Sequence, residues 1–186
     1  MMMTGLFDRI KATRLERVRR LTLIAASVTI GTFQLCSLVG LRINASASLP
    51  IGLYVASSDP KANLVEFCPA EPFASFAISR GYRDEGTCRD GASPMMKPVV
   101  AHASDVVDLS EQGITVNRRL LPNTAPQKVD SQGRPLTPWP FGRYIVAPHT
   151  VWVVSSHHPR SFDSRYFGPI PIGAIRDHVR PLLTAW

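Results

Sequence analysis

The sequence predicts a mainly β domain, built of antiparallel strands and short helices and preceded by one N-terminal transmembrane helix. Three observations carry this reading. The chain has 186 residues with 45% apolar content, enough for one core but not for two full domains. A long uncharged apolar stretch lies near its start, and from Pro98 onward short apolar runs alternate with turn residues.

The apolar stretch runs from Leu21 to Ile43 and holds a single charge, Arg42. A helix needs about 20 apolar residues to cross a bilayer, and the polar members here are only Ser, Thr and Gln, which an embedded helix tolerates. In front of it, Arg9, Lys11, Arg14, Arg17, Arg19 and Arg20 face Asp8 and Glu16, so +4 of the formal net charge of +7 sits in residues 1–20. A basic flank on that side orients the helix with its N-terminus in the cytoplasm. Residues 1–20 therefore read as a basic cytoplasmic segment, 21–43 as the transmembrane helix and 44–186 as a periplasmic domain. The expected location is a bacterial inner membrane, crossed once. Ala45-Ser46-Ala47 also resembles a small-x-small cleavage site, but the apolar run exceeds the roughly 7 to 15 residues of a secretory signal core, which favours an uncleaved anchor.

The remaining +3 is dispersed, and no later basic patch is interleaved with stacking aromatics, so direct nucleic-acid binding is not expected. Cys36 falls within the apolar stretch, whereas Cys68 and Cys88 fall in the exported part, where an oxidising compartment permits a disulfide. A Cys68–Cys88 bridge is expected, with two buried free thiols as the alternative. No Cys-x-x-Cys pair occurs and His157-His158 has no spaced partner pair, so neither a metal nor another cofactor is expected.

Ser48 to Tyr54 reads as a turn leading into a short strand through Val55. Glu71 to Arg80 reads as a helix, with Pro72 in its first turn, Phe73, Phe76 and Ala77 on one face and Gly81 at its end. Flanked by the two cysteines, it has the character of a structural insert with little core beneath it. Strands are expected over Val99–Ala101, Val106–Leu109, Ile114–Asn117, Tyr144–Ala147 and Val151–Val154. Leu121 to Pro140, rich in Pro, Asn, Gln and Gly, reads as an irregular surface connection.

A histidine-based serine hydrolase would need Ser, His and a carboxylate brought together, and no Gly-x-Ser-x-Gly signature is present. His102, His149, His157, His158 and His178 lie in or beside strands and loops and receive no catalytic role. A lysine can replace histidine as the base if burial keeps its amine neutral, because an ammonium cannot accept a proton. Lys97, behind Met95 and Met96 and at the entrance to Val99-Val100-Ala101, is the candidate. A solvated lysine beside a strand is the plain alternative.

Three segments occur in order: Asn44-Ala-Ser-Ala-Ser48-Leu-Pro50-Ile-Gly52-Leu-Tyr54, Lys97-Pro-Val-Val-Ala, and Ser161-Phe-Asp-Ser-Arg-Tyr-Phe-Gly168-Pro. Together with the preceding apolar stretch they resemble the boxes of the signal-peptidase-like Ser/Lys proteases. The resemblance extends over the whole chain to the conjugal-transfer branch that matures pilin, the TraF type. It implies a signal-peptidase-like antiparallel β domain in which Ser48 is the nucleophile and Lys97 its base. It further implies that the Ser46 hydroxyl and the Ser48 backbone N–H hold the oxyanion, and that Ser161 orients the lysine. Asp163 and Arg165 match a charged pair near the site. The pilin-cyclising branch implies a chemical role for Asp163, while the residues alone leave a surface ion pair as the alternative. Ordinary signal peptidases carry Arg or a similar residue after the lysine; Pro98 here favours the transfer branch.

The implied function is a membrane-bound serine endopeptidase and acyl transferase that trims and cyclises a conjugative pilin. Its implied partners are the pilin precursor, the membrane and components of a conjugative type IV secretion system. Two rivals stand beside it: a general type I signal peptidase acting on exported preproteins, and a non-catalytic assembly factor of the transfer channel.

Overall fold

The structure is a computed structural model that describes residues 16–17, 19–29, 31, 40–59 and 62–185. The chain divides into two compact units, residues 1–41 and 42–186. In the first, residues 16–17, 19–29 and 31 are helical and solvent-exposed. Among the described residues, no helix is long and apolar enough to cross a membrane.

The expected span over 21–43 is corrected at its C-terminal end, because Leu41–Asn44 forms a strand, β1. The cause is Arg42, the one charge in that stretch. Its Nε donates to Glu66 Oε2 at 2.8 Å and its Nη2 to Asp177 Oδ2 at 2.9 Å, which holds this piece of chain to the protein rather than in an apolar helix. Residues 30 and 32–39, with Cys36 and the middle of the expected span, lie outside the described residues.

Residues 42–186 build two antiparallel sheets. The larger has seven strands in the order β1-β2-β11-β3-β4-β9-β10, where β2 is Gly52–Ser57, β3 Leu64–Phe67, β4 Met95–Ala101, β9 Thr150–Val153, β10 Ile170–Pro171 and β11 Ile175–Thr184. The smaller, in the order β7-β6-β5-β8, joins β5 (Val106–Ser110), β6 (Gly113–Val116), β7 (Arg119–Leu120) and β8 (Gly142–Ile145). The five strands expected after Pro98 are all present, with β8 beginning two residues earlier than its apolar run and β4 extending back to Met95. Leu121 to Pro140 is irregular as expected, carrying one isolated bridge between Val129 and Pro135.

β11 had no sequence signal, since its stretch IRDHVRPLLT mixes charges and a proline without alternation. It is nonetheless central, pairing with β2 on one side and β3 on the other. The close approach of β2 to β11 explains Gly52: at φ +152, a Cβ there would stand 2.2 Å from Leu183 O.

Two apolar clusters fill the domain. One gathers Val65, Phe67, Met95, Val99, Val153, Phe162 and Phe167 beneath the larger sheet, and the other packs Ala101, Trp152 and Val154 against Val107, Leu109 and Ile114 of the smaller one. The expected helix forms over Phe73–Ser79. It ends in a Schellman motif, with Tyr82 N donating to Ala77 O at 2.8 Å and Gly81 N to Ile78 O at 2.9 Å. The apolar contact that accompanies such an ending is made by Phe76 and Tyr82, whose ring centroids lie 6.2 Å apart.

The Cys68–Cys88 disulfide is formed, with Cα atoms 5.9 Å apart. Its insert differs from expectation in one respect. Ala77 belongs to the main core, and Phe73, Phe76 and Tyr82 pack against it. The helix has a full apolar layer beneath it because its Phe76 ring stacks on Phe162 at 5.6 Å, inside the third of the motif segments.

Candidate active site

Strand alternation decides the environment of Lys97. Along β4 the buried positions are Met95, Lys97, Val99 and Ala101, every second residue, so the pleat points the lysine to the same side as three apolar neighbours. Lys97 is 4% exposed. Its expected place at the strand entrance becomes the strand interior, paired to Val65 of β3. Burial lowers its pKa to about 8; Asp163 nearby works against that shift and Arg165 with it. The amine donates to Ser48 Oγ at 2.8 Å and to Met96 O at 3.2 Å.

Ser48 lies on the turn between β1 and β2, and side chains rather than a strand ladder hold that turn. Asn44, 5% exposed, ends β1 and folds its carboxamide over the turn. Its Nδ2 donates to Ser46 O, Leu49 O and Pro50 O at 3.0, 3.2 and 3.1 Å. Its Oδ1 accepts from Ser46 N at 3.2 Å and from Ser46 Oγ at 3.0 Å. Tyr54 adds a hydrogen bond from its hydroxyl to Pro50 O at 2.7 Å. The Ser46 and Ser48 hydroxyls are 2.9 Å apart. The turn therefore presents two serine hydroxyls and one lysine amine as a continuous contact chain.

The third segment supports this turn from behind. Asp163 and Arg165 are both fully buried, so the surface ion pair left open by the sequence is an interior one. Arg165 Nε donates to Asp163 Oδ1 at 2.8 Å and Nη2 to Oδ2 at 2.9 Å, a bidentate pair. The other guanidinium donors reach Ser161 O at 2.8 Å and Pro159 O at 2.9 Å. Asp163 Oδ2 also accepts from Ser155 N at 3.1 Å. The Ser155 hydroxyl, itself completely buried, donates to the backbone carbonyl of Ser48. A relay thus runs from Arg165 through Asp163 and Ser155 to the Ser48 peptide. Gly168 closes the segment at φ +70, where a Cβ would meet the Trp139 ring at 2.7 Å.

Ser46, Ser48, Lys97 and Ser161 all line one cavity of about 660 Å³, which is floored by Phe162 and walled by Tyr82 of the insert. Ser161 departs from the role implied for it. Its hydroxyl is buried without a hydrogen-bond partner among the described residues, and the lysine is held by Met96 O instead. The oxygens of Asp163 hydrogen-bond to Arg165 and Ser155 rather than to Ser48 or Lys97. Asn44 and Ser155 are the functional candidates that sequence reasoning missed. Asn44 stood inside the first motif segment without an assigned role, and Ser155 gave no signal because its partner is 107 residues away in sequence.

Tyr82 and Asp130, which also line the cavity, belong to a second polar cluster. Asp130 accepts from Tyr82 Oη at 2.7 Å and from Arg134 Nε at 2.6 Å. Burial opposes ionisation of this carboxyl, yet these hydrogen bonds hold it well below the usual carboxylate range. The Tyr82 hydroxyl is pushed up to about 12 by burial and by Asp130. The cluster fastens the irregular connection to the insert. Among the described residues no group of three His, Cys, Asp or Glu side chains is placed to hold a metal ion.

The family model described as signal peptidase, peptidase S26, matches residues 14–183. A plasmid transfer protein TraF from Escherichia coli is 40% identical over 148 residues, covering 78% of this chain and 83% of that protein. A second Escherichia coli plasmid transfer protein TraF is 35% identical over 92% of this chain and 99% of its own length. A probable conjugal transfer protein TraF from Sinorhizobium fredii is 34% identical over 92% of this chain and 94% of its own. A crystallised signal peptidase I from Enterococcus faecalis gives a slighter match, 12% identical with a TM-score of 0.35 over 66% of this chain and 97% of that one, too slight to bear on the site. On the family model and on these relatives, the chain belongs to the signal peptidase family, peptidase S26.

Proposed function

We propose that this protein is a Ser/Lys endopeptidase and acyl transferase that matures the pilin of a conjugative transfer system at the outer face of a bacterial inner membrane. The observation that carries the chemistry is the 2.8 Å contact between Lys97 Nζ and Ser48 Oγ, with the lysine buried. A lysine whose pKa is lowered to about 8 supplies a substantial neutral fraction near physiological pH, which a general base requires.

In this mechanism Ser48 Oγ attacks the scissile carbonyl while its proton passes to Lys97 Nζ. The oxyanion is held by Ser46 Oγ and the Ser48 N–H, and the acyl-enzyme forms as Lys97 returns the proton to the departing amine. Water then releases a trimmed pilin, or the pilin's own amino terminus attacks and closes a ring. The ring product requires both pilin ends to be held together at one site, where effective concentration lets the amine outcompete water. Asp163 acts through Ser155 and Arg165 as a support of the Ser48 peptide rather than as a proton carrier. The apolar stretch upstream of Gly40 anchors the enzyme beside its substrate. The pilin substrate is supported by the kinship with plasmid and conjugal transfer proteins.

The test is the mass of the cognate pilin co-expressed with wild type, Ser48→Ala or Lys97→Ala. Wild type is expected to yield trimmed pilin lighter by one further water than the linear chain, and both variants unprocessed precursor. A linear trimmed product would reduce the reading to hydrolysis. Normal processing by Ser48→Ala would remove the peptidase reading, and processing of exported preproteins in place of pilin would make the protein a general signal peptidase.

A further inference from the structure

We propose that Asn44 is a positioning residue that sets the direction of the hydrogen-bond chain through Ser46, Ser48 and Lys97, and that it holds the Ser46 proton until an oxyanion competes for it. The inference rests on the catalytic reading of Ser48 and Lys97 given above and adds to it the control of the second hydroxyl.

The orientation of the carboxamide is dictated by its surroundings. Nδ2 faces three backbone carbonyls, whereas Oδ1 faces the N–H of Ser46. The reverse flip would set an oxygen against three acceptors and an amide nitrogen against a donor. Oδ1 is therefore an acceptor only, and the Ser46 hydroxyl, 3.0 Å away, has to donate to it. A hydroxyl owns one proton, so at its 2.9 Å contact with Ser48 the Ser46 oxygen can only accept. Ser48 then donates to Ser46, and the Lys97 amine donates to Ser48 at 2.8 Å. Every donor in the chain points toward Asn44.

That polarity belongs to a resting site. When Ser48 attacks, its O–H turns from Ser46 to the lone pair of the neutral Lys97 amine, which takes the proton as the Ser48 oxygen bonds the substrate carbon and the carbonyl electron pair moves onto oxygen. The Ser46 O–H must leave Asn44 Oδ1 and rotate to that oxyanion. A neutral amide oxygen suits this exchange: it orients the hydroxyl beforehand yet is a weaker acceptor than the developing anion. A carboxylate in its place would hold the proton in competition with the oxyanion.

The experiment measures initial rates on precursor pilin by mass spectrometry, using purified full chain over a series of precursor concentrations. Asn44→Asp, which keeps the acceptor Oδ1 but replaces the Nδ2 donor with an oxygen facing Ser46 O, Leu49 O and Pro50 O, is compared with Asn44→Ala, Ser46→Ala and the double variants. Asn44→Asp is expected to lower kcat about tenfold or more while KM stays within about threefold, and to lower it at least about threefold less once Ser46 is alanine, the remaining loss being that of the three bonds to the turn. Asn44→Ala is expected to show the same dependence on Ser46. Losses that multiply across the two backgrounds, a loss confined to KM, or an unchanged kcat would each overturn the inference. Ser48→Ala run alongside separates the two levels. If it still processes pilin, the peptidase reading itself fails; if it is silent while the Asn44 and Ser46 losses multiply, only the control by Asn44 is refuted.

Discussion

The two halves of the candidate dyad are held by opposite means. Lys97 is fixed by backbone: it sits inside β4, between β3 and β9, and its burial follows from the two-residue period of the strand. Ser48 is fixed by side chains: Asn44, Tyr54 and Ser155 hold a turn that has no ladder of its own. A base needs a low dielectric around it, which a sheet interior supplies without polar groups. A nucleophile needs exposure to substrate together with fixed geometry, and only directed hydrogen bonds give both. The comparison predicts that changes on the lysine side trade stability against activity, while changes on the serine side lose both together.

The largest effect is expected from Lys97→Met. Activity should fall by at least about 10³-fold, the scale of a lost general base with its nucleophile left inactive. Stability should move the other way. The folded-state pKa of about 8 lies below the value of 10.5 for a free lysine, so the native state carries the full cost of the buried charge below about pH 8. That cost is relieved as pH rises from about 8 to 10.5, where the unfolded chain still binds the proton that the folded chain has lost. Chemical denaturation should show the methionine variant more stable at pH 7 by up to about 3 kcal/mol, the equivalent of that shift, with the gain vanishing above pH 10.5. A destabilised variant at pH 7 would mean that the lysine is not desolvated. Wild-type activity should rise with pH through about 8.

How much of this was readable differs between the same two regions. The sequence located Lys97 and Ser48 through their motif segments and located the strands after Pro98 through alternation. Met95, Lys97 and Val99 already carry the period of β4, although a lysine in a strand is usually placed on the wet face. The support of the turn was not readable. Ser155 has no local pattern, and its tie to Ser48 exists only after β9 and β2 have been brought into one sheet. Asp163 and Arg165, two residues apart, look the same in sequence whether they meet in water or in the core. Their neighbour Phe162 is covered by Phe76 and Tyr82 of the insert, a contact that no local pattern announces.

Ser155→Ala comes next in size. It keeps the N–H that Asp163 accepts and removes only the hydroxyl, leaving the Ser48 carbonyl and His157 N without that partner. An unmet backbone group of this kind costs about 1–3 kcal/mol. Denaturation should register that loss, and kcat should fall by about tenfold because the Ser48 peptide is displaced relative to Lys97. If stability falls while kcat is untouched, the relay from Asp163 serves folding alone.

Tyr54→Phe should have the smallest effect, and the reason is redundancy. Its hydroxyl donates to Pro50 O at 2.7 Å, but the same carbonyl also receives Asn44 Nδ2 at 3.1 Å, so removing the phenol leaves the acceptor satisfied. The ring stays in place, 2% exposed, and its apolar contribution is unchanged. The expected loss is one hydrogen bond, about 1 kcal/mol in unfolding free energy, with kcat within about threefold of wild type. Combined with Asn44→Ala the same substitution should cost more than it does alone, because Pro50 O then has no donor from either side. Simple additivity of the two losses, measured by denaturation of the single and double variants, would show that Asn44 and Tyr54 hold separate parts of the turn.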